Sequence, residues 1–296
     1  MRMAKASSSL LPIRSFSLKQ TILTLQQKKQ AGEKIAMVTA YDYTMAKLCA
    51  EAGCDMLLVG DSLGMVMLGY PDTVSVTMED MIHHTKAVSR GQGDAFLVAD
   101  MPFMSYRTGM HDALVNASRL MSEGRAQAVK MEGGAELCEL IVKLNRGGIP
   151  VVGHLGLTPQ SVNTLGGYKV QGKGEAAAEE LICNACALDE AGVMGIVLEC
   201  VPRELAKIVT EKVSCFTIGI GAGADCDGQV LVLQDLLSMF SGFKPKFVQS
   251  FADVGSAVKG GVQSYCEAVR SGVFPDDAHS FTMDAAILKT ICRNLK

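Results

Sequence analysis

Short apolar runs alternate with longer amphipathic stretches along almost the whole chain. Near-continuous Val, Ile and Leu mark IAMVTAYD (35–42), MLLVGDS (56–62), FLVADMP (96–102), AVKMEGG (128–134), IPVVGHLGL (149–157), IVLECVP (196–202), TIGIGAG (217–223) and PKFVQSF (245–251). Runs of this kind predict strands buried on both faces, as in a parallel sheet. Between them, helical spacing predicts helices over 17–32 (ended by Gly32), 43–53 (ended by Gly53), 76–91, 109–123, 135–146, 175–191, 203–213, 229–240 and 254–271. About eight strands alternating with about eight helices is the count of a (β/α)8 TIM barrel. The expected α/β architecture is a single catalytic domain over 19–281 that opens with an N-terminal helix. A flexible extension at 1–18 precedes it and a helical tail at 282–296 follows. Ile287, Ile291 and Leu295 share one face of that tail, which is expected to dock on the barrel or on a neighbouring subunit. A doubly wound open sheet shows the same alternation, but polar residues end nearly all the strands rather than one switch point, which favours the closed barrel.

Composition excludes several classes. The 296 residues are 48% hydrophobic and 20% charged, which suits a globular chain with a sizeable core and not a disordered one. Net charge is −3 and no basic block stands out, which argues against nucleic acid as a partner. No uncharged apolar stretch approaches the ~18 residues of a membrane span. The ten cysteines are scattered, several within predicted helices (Cys49, Cys138, Cys266), as expected of buried free thiols in a reducing compartment. Cys183 and Cys186 form a CxxC, but mid-helix and without a second ligand pair, so core packing is expected of them. Residues 1–32 hold no acid, and Arg2, Lys5, Arg14 and Lys19 alternate with Ser and Leu. That composition suits the short tail of a cytoplasmic protein, with a mitochondrial transit peptide as the alternative.

The strand ends carry the candidate chemistry. Asp61, Asp100, Glu132 and Glu199 each close an apolar run, and in a parallel barrel such ends converge on one bowl. Any one of these acids could simply cap the following loop or helix. Four on one rim would repel each other unless a cation sat among them. An almost all-carboxylate set suits magnesium better than zinc, since His154 is the only histidine at a strand end. Lys130 stands two residues before Glu132, so both point into the barrel. A buried lysine needs an anion, which could be a substrate carboxylate or a rim acid in a plain ion pair. Glu199 ends a very apolar run. A carboxylate there is either paired or holds its proton more tightly, which suits a base working near neutral pH. His154 could bond a substrate oxygen or a loop backbone. The glycines of IGIGAG (218–223) could cradle phosphate or allow close approach of a flat ligand or of backbone. His83 and His84 are expected to be solvated, and the methionines to fill the core.

VTAYDYT (38–44), LLVGDSLGMV (57–66), LVADMPFMSY (97–106), VKMEGG (129–134), GHLGLTPQSVNTLGGYKVQG (153–172), VLECVP (197–202) and IGIGAGADCDGQVLV (218–232) together resemble the ketopantoate hydroxymethyltransferase family. The resemblance runs from about residue 20 to about 281, and the long GHLGLTPQ block is highly specific. It implies a (β/α)8 barrel and transfer of a hydroxymethyl group from 5,10-methylenetetrahydrofolate to 3-methyl-2-oxobutanoate. The product would be 2-dehydropantoate, on the way to pantothenate. It also implies Mg2+ and a homo-oligomer of ten chains. Carried over residue by residue, it makes Asp61 and Asp100 metal ligands, with Glu132 completing the metal site. Asp61, Ser62, Asp100 and Lys130 would contact the keto acid and Glu199 would be the base, while His154 and Tyr41 are candidates to support these groups from behind. Two rivals are a magnesium barrel of the phosphoenolpyruvate mutase and isocitrate lyase kind and a catalytically dead barrel. The KKCGH motif of isocitrate lyases is absent, and none of the rim acids is lost.

Overall fold

The computed structural model describes residues 19–239 and 244–295; the extension at 1–18 lies outside them. The chain enters through α1 (Ile22–Ala31) and continues as β1 (Ile35–Thr39), α2 (Tyr43–Glu51), β2 (Met56–Val59), a short α3 (Leu63–Val66), α4 (Met78–Gly91), β3 (Phe96–Asp100) and α5 (Met110–Ser122). There follow β4 (Ala128–Glu132), α6 (Cys138–Arg146), β5 (Val151–Gly156), a short α7 (Val162–Leu165), α8 (Glu175–Glu190), β6 (Gly195–Glu199) and α9 (Arg203–Lys212). The chain ends with β7 (Phe216–Ile220), β8 (Gly228–Leu231), a short α10 (Leu233–Leu236), α11 (Val254–Arg270) and α12 (Ala285–Asn294). The strands pair in sequence order, all parallel, and β8 returns to β1 to close the barrel.

Local chemistry fixes the helix starts. Thr21 with Thr24, and Thr77 with Asp80, form reciprocal capping boxes at α1 and α4. The Asp42 side chain accepts the Met45 N–H at the start of α2 (2.9 Å). Alternate strand residues then divide between two cores. Ile35, Met37, Met56, Leu58, Phe96, Val98, Ala128, Val152, Val197, Phe216, Ile218 and Val230 fill the barrel interior, and Leu25 from α1 closes its lower end. Their neighbours in sequence, such as Leu57, Leu97, Val129 and Ile196, face the helices. Interior layers of this kind make the barrel solid, so a ligand can enter only at a rim.

Several expectations need correction. The eighth strand is Gly228–Leu231, inside the segment read as a helix over 229–240, while 245–251 forms no strand. The pairing of Ile35–Val38 with Gly228–Leu231 supplies the hydrogen bonds that close the barrel, and it overrides the helical spacing of VLVLQDLL. Phe247, read as part of that strand, instead leans on Gly221, where an added Cβ would lie 2.8 Å from its ring. The glycines after β7 thus serve close side-chain approach. For the tail, one of the two expected docking partners is excluded. α11 and α12 bury no residue, and Ile287, Ile291 and Leu295 are 55%, 41% and 81% exposed, so the tail does not dock on its own barrel. Cys183 is exposed and Cys186 half-buried, so core packing does not account for the CxxC. Among the described residues no helix is long and apolar enough to cross a membrane.

Candidate active site

The barrel interior changes character in its top layer. Register sets Asp100 beside Lys130 and Glu132 beside His154 on neighbouring strands, and Glu199 ends β6 beside Gly156 of β5. Alternation points Asp100, Lys130, Glu132 and His154 inward, and all four are buried. Asp61 lies two residues beyond β2, where Gly60 lets the loop run close to Asp100: a Cβ there would sit 2.9 Å from Ser62 Oγ and 3.4 Å from Asp100 Oδ2. The Asp61 N–H donates to Asp100 Oδ2 (3.1 Å). Tyr41 and Ser62 share a hydrogen bond of 2.8 Å between their hydroxyls. The Tyr41 carbonyl lies 2.7 Å from His84 Nδ1, so His84, expected to be solvated, is instead tied to the site's edge.

Lys130 sits at the centre of this layer. Its Nζ lies 3.1 Å from Asp100 Oδ1 and 3.1 Å from His154 Nδ1. An ammonium can only donate, so a neutral ring would accept through Nδ1 and carry its proton on Nε2. Burial and the Lys130 charge would lower the His154 pKa, but Glu132 and Glu199 outweigh them and raise it. Nε2 faces Glu199 Oε2 at 3.3 Å. Glu199 thus ends its apolar strand facing the His154 ring, without a well-directed hydrogen bond to it. The chain turns sharply after it: Cys200 holds φ at 49°, and Gly156 (φ 94°) lies so close that a Cβ would be 2.2 Å from the Glu199 carbonyl oxygen. Left-handed backbone at a non-glycine residue costs of order 1–3 kcal/mol and persists where surrounding structure enforces it.

The electrostatics are those of a site short of positive charge. Burial pushes the Asp61 carboxyl well above the usual range, and the charges of Asp100 and Glu132 add to the effect. Burial also raises Asp100, with Lys130 opposing. Burial by itself would lower the Lys130 ammonium, but Asp100, Glu132 and Asp61 outweigh it and hold it up. Three buried carboxylates against one ammonium leave a surplus of negative charge in a low-dielectric pocket. Asp100 Oδ1 is buried without a well-directed hydrogen bond, although Lys130 is near. Among the described residues no three His, Cys, Asp or Glu groups already form a closed metal shell. A hard cation that takes one or two carboxylates and keeps several waters needs no such shell. Asp61 and Asp100 fit it. The Glu132 oxygens turn to Gln160 N (3.0 Å) and His154 Nδ1 (3.5 Å), so Glu132 fits the outer side of such a site.

The structure brings together every residue singled out in the sequence, and it adds three. Gln160, Tyr106 and Arg107 bind Asp61 and Glu132 from behind. Gln160 lies in the GHLGLTPQ block and Tyr106 closes LVADMPFMSY, so both sit in family motifs that gave them no role; Arg107 gave no signal.

The family model for ketopantoate hydroxymethyltransferase matches residues 19–277. The chain belongs to the ketopantoate hydroxymethyltransferase family. A protein named 3-methyl-2-oxobutanoate hydroxymethyltransferase from Clostridium botulinum (strain 657 / Type Ba4) is 56% identical over 274 residues, which is 93% of this chain and 100% of that protein. One of the same name from Enterococcus faecalis is 53% identical over 274 residues, with the same coverage. Among solved structures, a phosphonopyruvate hydrolase in complex with oxalate and Mg++ superposes with a TM-score of 0.58 at 13% identity, covering 93% of this chain and 96% of that one. A 2,3-dimethylmalate lyase of the PEP mutase/isocitrate lyase superfamily gives 0.56 at 18%, covering 92% and 94%. These two show the fold alone. The rival reading as a phosphoenolpyruvate mutase or isocitrate lyase thus shares the barrel with this family member, and the sequence identity lies with the hydroxymethyltransferases.

Proposed function

We propose that this chain transfers a hydroxymethyl group to 3-methyl-2-oxobutanoate, with 5,10-methylenetetrahydrofolate as donor and Mg2+ as metal, giving 2-dehydropantoate for pantothenate synthesis. The reading is carried by the convergence of Asp61, Asp100, Lys130, Glu132 and Glu199 on one polar layer in a chain so similar to enzymes of that name. Asp61 and Asp100 would hold magnesium, with Glu132 completing the site. Bound there, magnesium would supply Lewis-acid polarisation of the ketone and stabilise negative charge on its oxygen. Ser62, Asp61 and Asp100 line the keto acid's place, and Lys130 neutralises its charge. Glu199 takes the C3 proton, leaving on C3 the electron pair that adds to the methylene carbon of the opened folate iminium. The C–N bond to folate then breaks, tetrahydrofolate leaves with its electron pair and a proton, and water supplies the hydroxyl. His154 Nε2 stands 3.3 Å from the Glu199 carboxylate, and the ring is itself fixed by Lys130. Tyr41 supports the site through Ser62. Tyr70, Phe103 and Tyr168, exposed on the loops after β2, β3 and β5, offer flat apolar faces near the mouth for a pterin ring.

The direct test supplies 3-methyl-2-oxobutanoate, methylenetetrahydrofolate and magnesium together. Formation of 2-dehydropantoate should need all three, and no product from the folded enzyme under those conditions would sink the reading.

The same reading places the protein in the cytoplasm, or in the mitochondrion if residues 1–18 serve as a transit peptide. It also makes the protein a homo-oligomer of ten chains. Exposed Val258, Val262 and Tyr265 line one side of α11, and Ile287, Leu288 and Ile291 line α12. Apolar helix faces left uncovered by their own chain suit a contact between copies. Light scattering at micromolar concentration is expected to give a multimer, and a clean 31.4 kDa monomer would rule it out.

A further inference from the structure

We propose that Gln160 is a positioning residue that sets Asp61 and Glu132 in the arrangement that receives the metal. The inference rests on the metal-dependent reading above. Gln160 lies in the turn of 3-10 helix (Pro159–Ser161) after β5 and is 6% exposed. Its Nε2 donates to Asp61 Oδ2 (2.8 Å) and to the Met101 carbonyl (2.9 Å). Its backbone N–H donates to Glu132 Oε2 (3.0 Å). An amide nitrogen has two hydrogens, and both are used.

The amide cannot turn over, because its oxygen would then meet a carboxylate and a carbonyl. The other side holds it equally firmly. Gln160 Oε1 lies 2.9 Å from the Tyr106 hydroxyl. That hydroxyl accepts the Glu132 N–H (3.2 Å) and lies 3.0 Å from the Glu132 carbonyl. Arg107 Nη2 also donates to that carbonyl at 2.6 Å, so the carbonyl keeps a donor when the single Tyr106 proton turns to Gln160. Gln160 therefore ties the loop after β2, the loop after β3 and the end of β4 into one hydrogen-bonded unit. In such a unit the two acids keep their spacing although their charges repel. Partners that orient metal-binding side chains in this way typically carry 10–100-fold in metal affinity or activity.

Gln160→Met keeps the volume and the backbone bond to Glu132 but removes all three side-chain bonds. Calorimetric titration of magnesium into the metal-free enzyme is expected to show affinity lower by about 10–100-fold. Turnover should fall at limiting magnesium and recover largely when magnesium is raised to saturation. A merely structural glutamine would lower the melting temperature and leave the magnesium affinity of the folded protein unchanged. Tyr106→Phe removes only the hydroxyl that anchors Oε1, and keeps the test open should Gln160→Met fail to fold. It is expected to weaken magnesium about 2–10-fold, the usual worth of one neutral hydrogen bond. Folded variants that bind magnesium as tightly as wild type overturn the assignment of Gln160. Absence of magnesium binding in the wild type overturns the metal reading itself, and Gln160's role with it.

Discussion

Glu199→Gln should abolish most proton exchange at C3 of 3-methyl-2-oxobutanoate while leaving the protein folded. Abstraction of that proton needs the base and the bound keto acid, but not the one-carbon donor. In heavy water, wild-type enzyme with magnesium alone is therefore expected to exchange the C3 hydrogen, visible by proton NMR. Glutamine is nearly isosteric, can keep the 3.3 Å contact with His154 Nε2, and cannot accept the proton. Exchange and overall turnover should each drop by roughly 10²–10⁴-fold, the usual worth of a positioned base. Keto-acid binding should stay near wild type, because the groups proposed to hold it lie on other strands. Exchange at the wild-type rate in well-folded Glu199→Gln would rule the role out, and His154 would be the next base to test.

The second large effect concerns the metal. Asp61→Asn removes one of the two hard anionic oxygens proposed to hold magnesium, and Asp100→Asn removes the other. Magnesium affinity should fall by more than the ~10–100-fold typical of an outer partner, and turnover should fall with it. Without metal the expectation reverses. Asp61 is crowded by Asp100 and Glu132 in a buried layer, so neutralising it relieves repulsion. Asn can still accept from Gln160 at the place of the present 2.8 Å bond. In chelator, Asp61→Asn should melt no lower than wild type, whereas the upward shift that magnesium gives the wild type by binding the native state should vanish. Unchanged magnesium titrations in both variants would refute the ligand assignment, and a collapse of the metal-free melting temperature would mark Asp61 as structural.

The sequence by itself determined the architecture and made the candidate reacting groups conspicuous. Strand interiors buried on both faces read as unbroken Val, Ile and Leu, and a carboxylate closing such a run is costly enough to be conspicuous. Asp100, Glu132 and Glu199 therefore stood out, and the strand period of two aimed Lys130 inward with Glu132. These are local signals, written within a few residues. What only the tertiary structure decided depends on pairing between distant segments. The closing strand over 228–231 was read as helix because its own spacing is ambiguous; its partner β1 lies almost two hundred positions earlier, and that pairing settled the matter. Gln160 meets Asp61 across 99 positions, and Lys130 meets His154 across 24, so neither the pinning amide nor the tautomer of the histidine could be read from local pattern. The last helices show the same limit from the other side. Their amphipathic period was legible, but whether an apolar face is covered depends on what lies opposite, and among the described residues α11 and α12 bury none of their own.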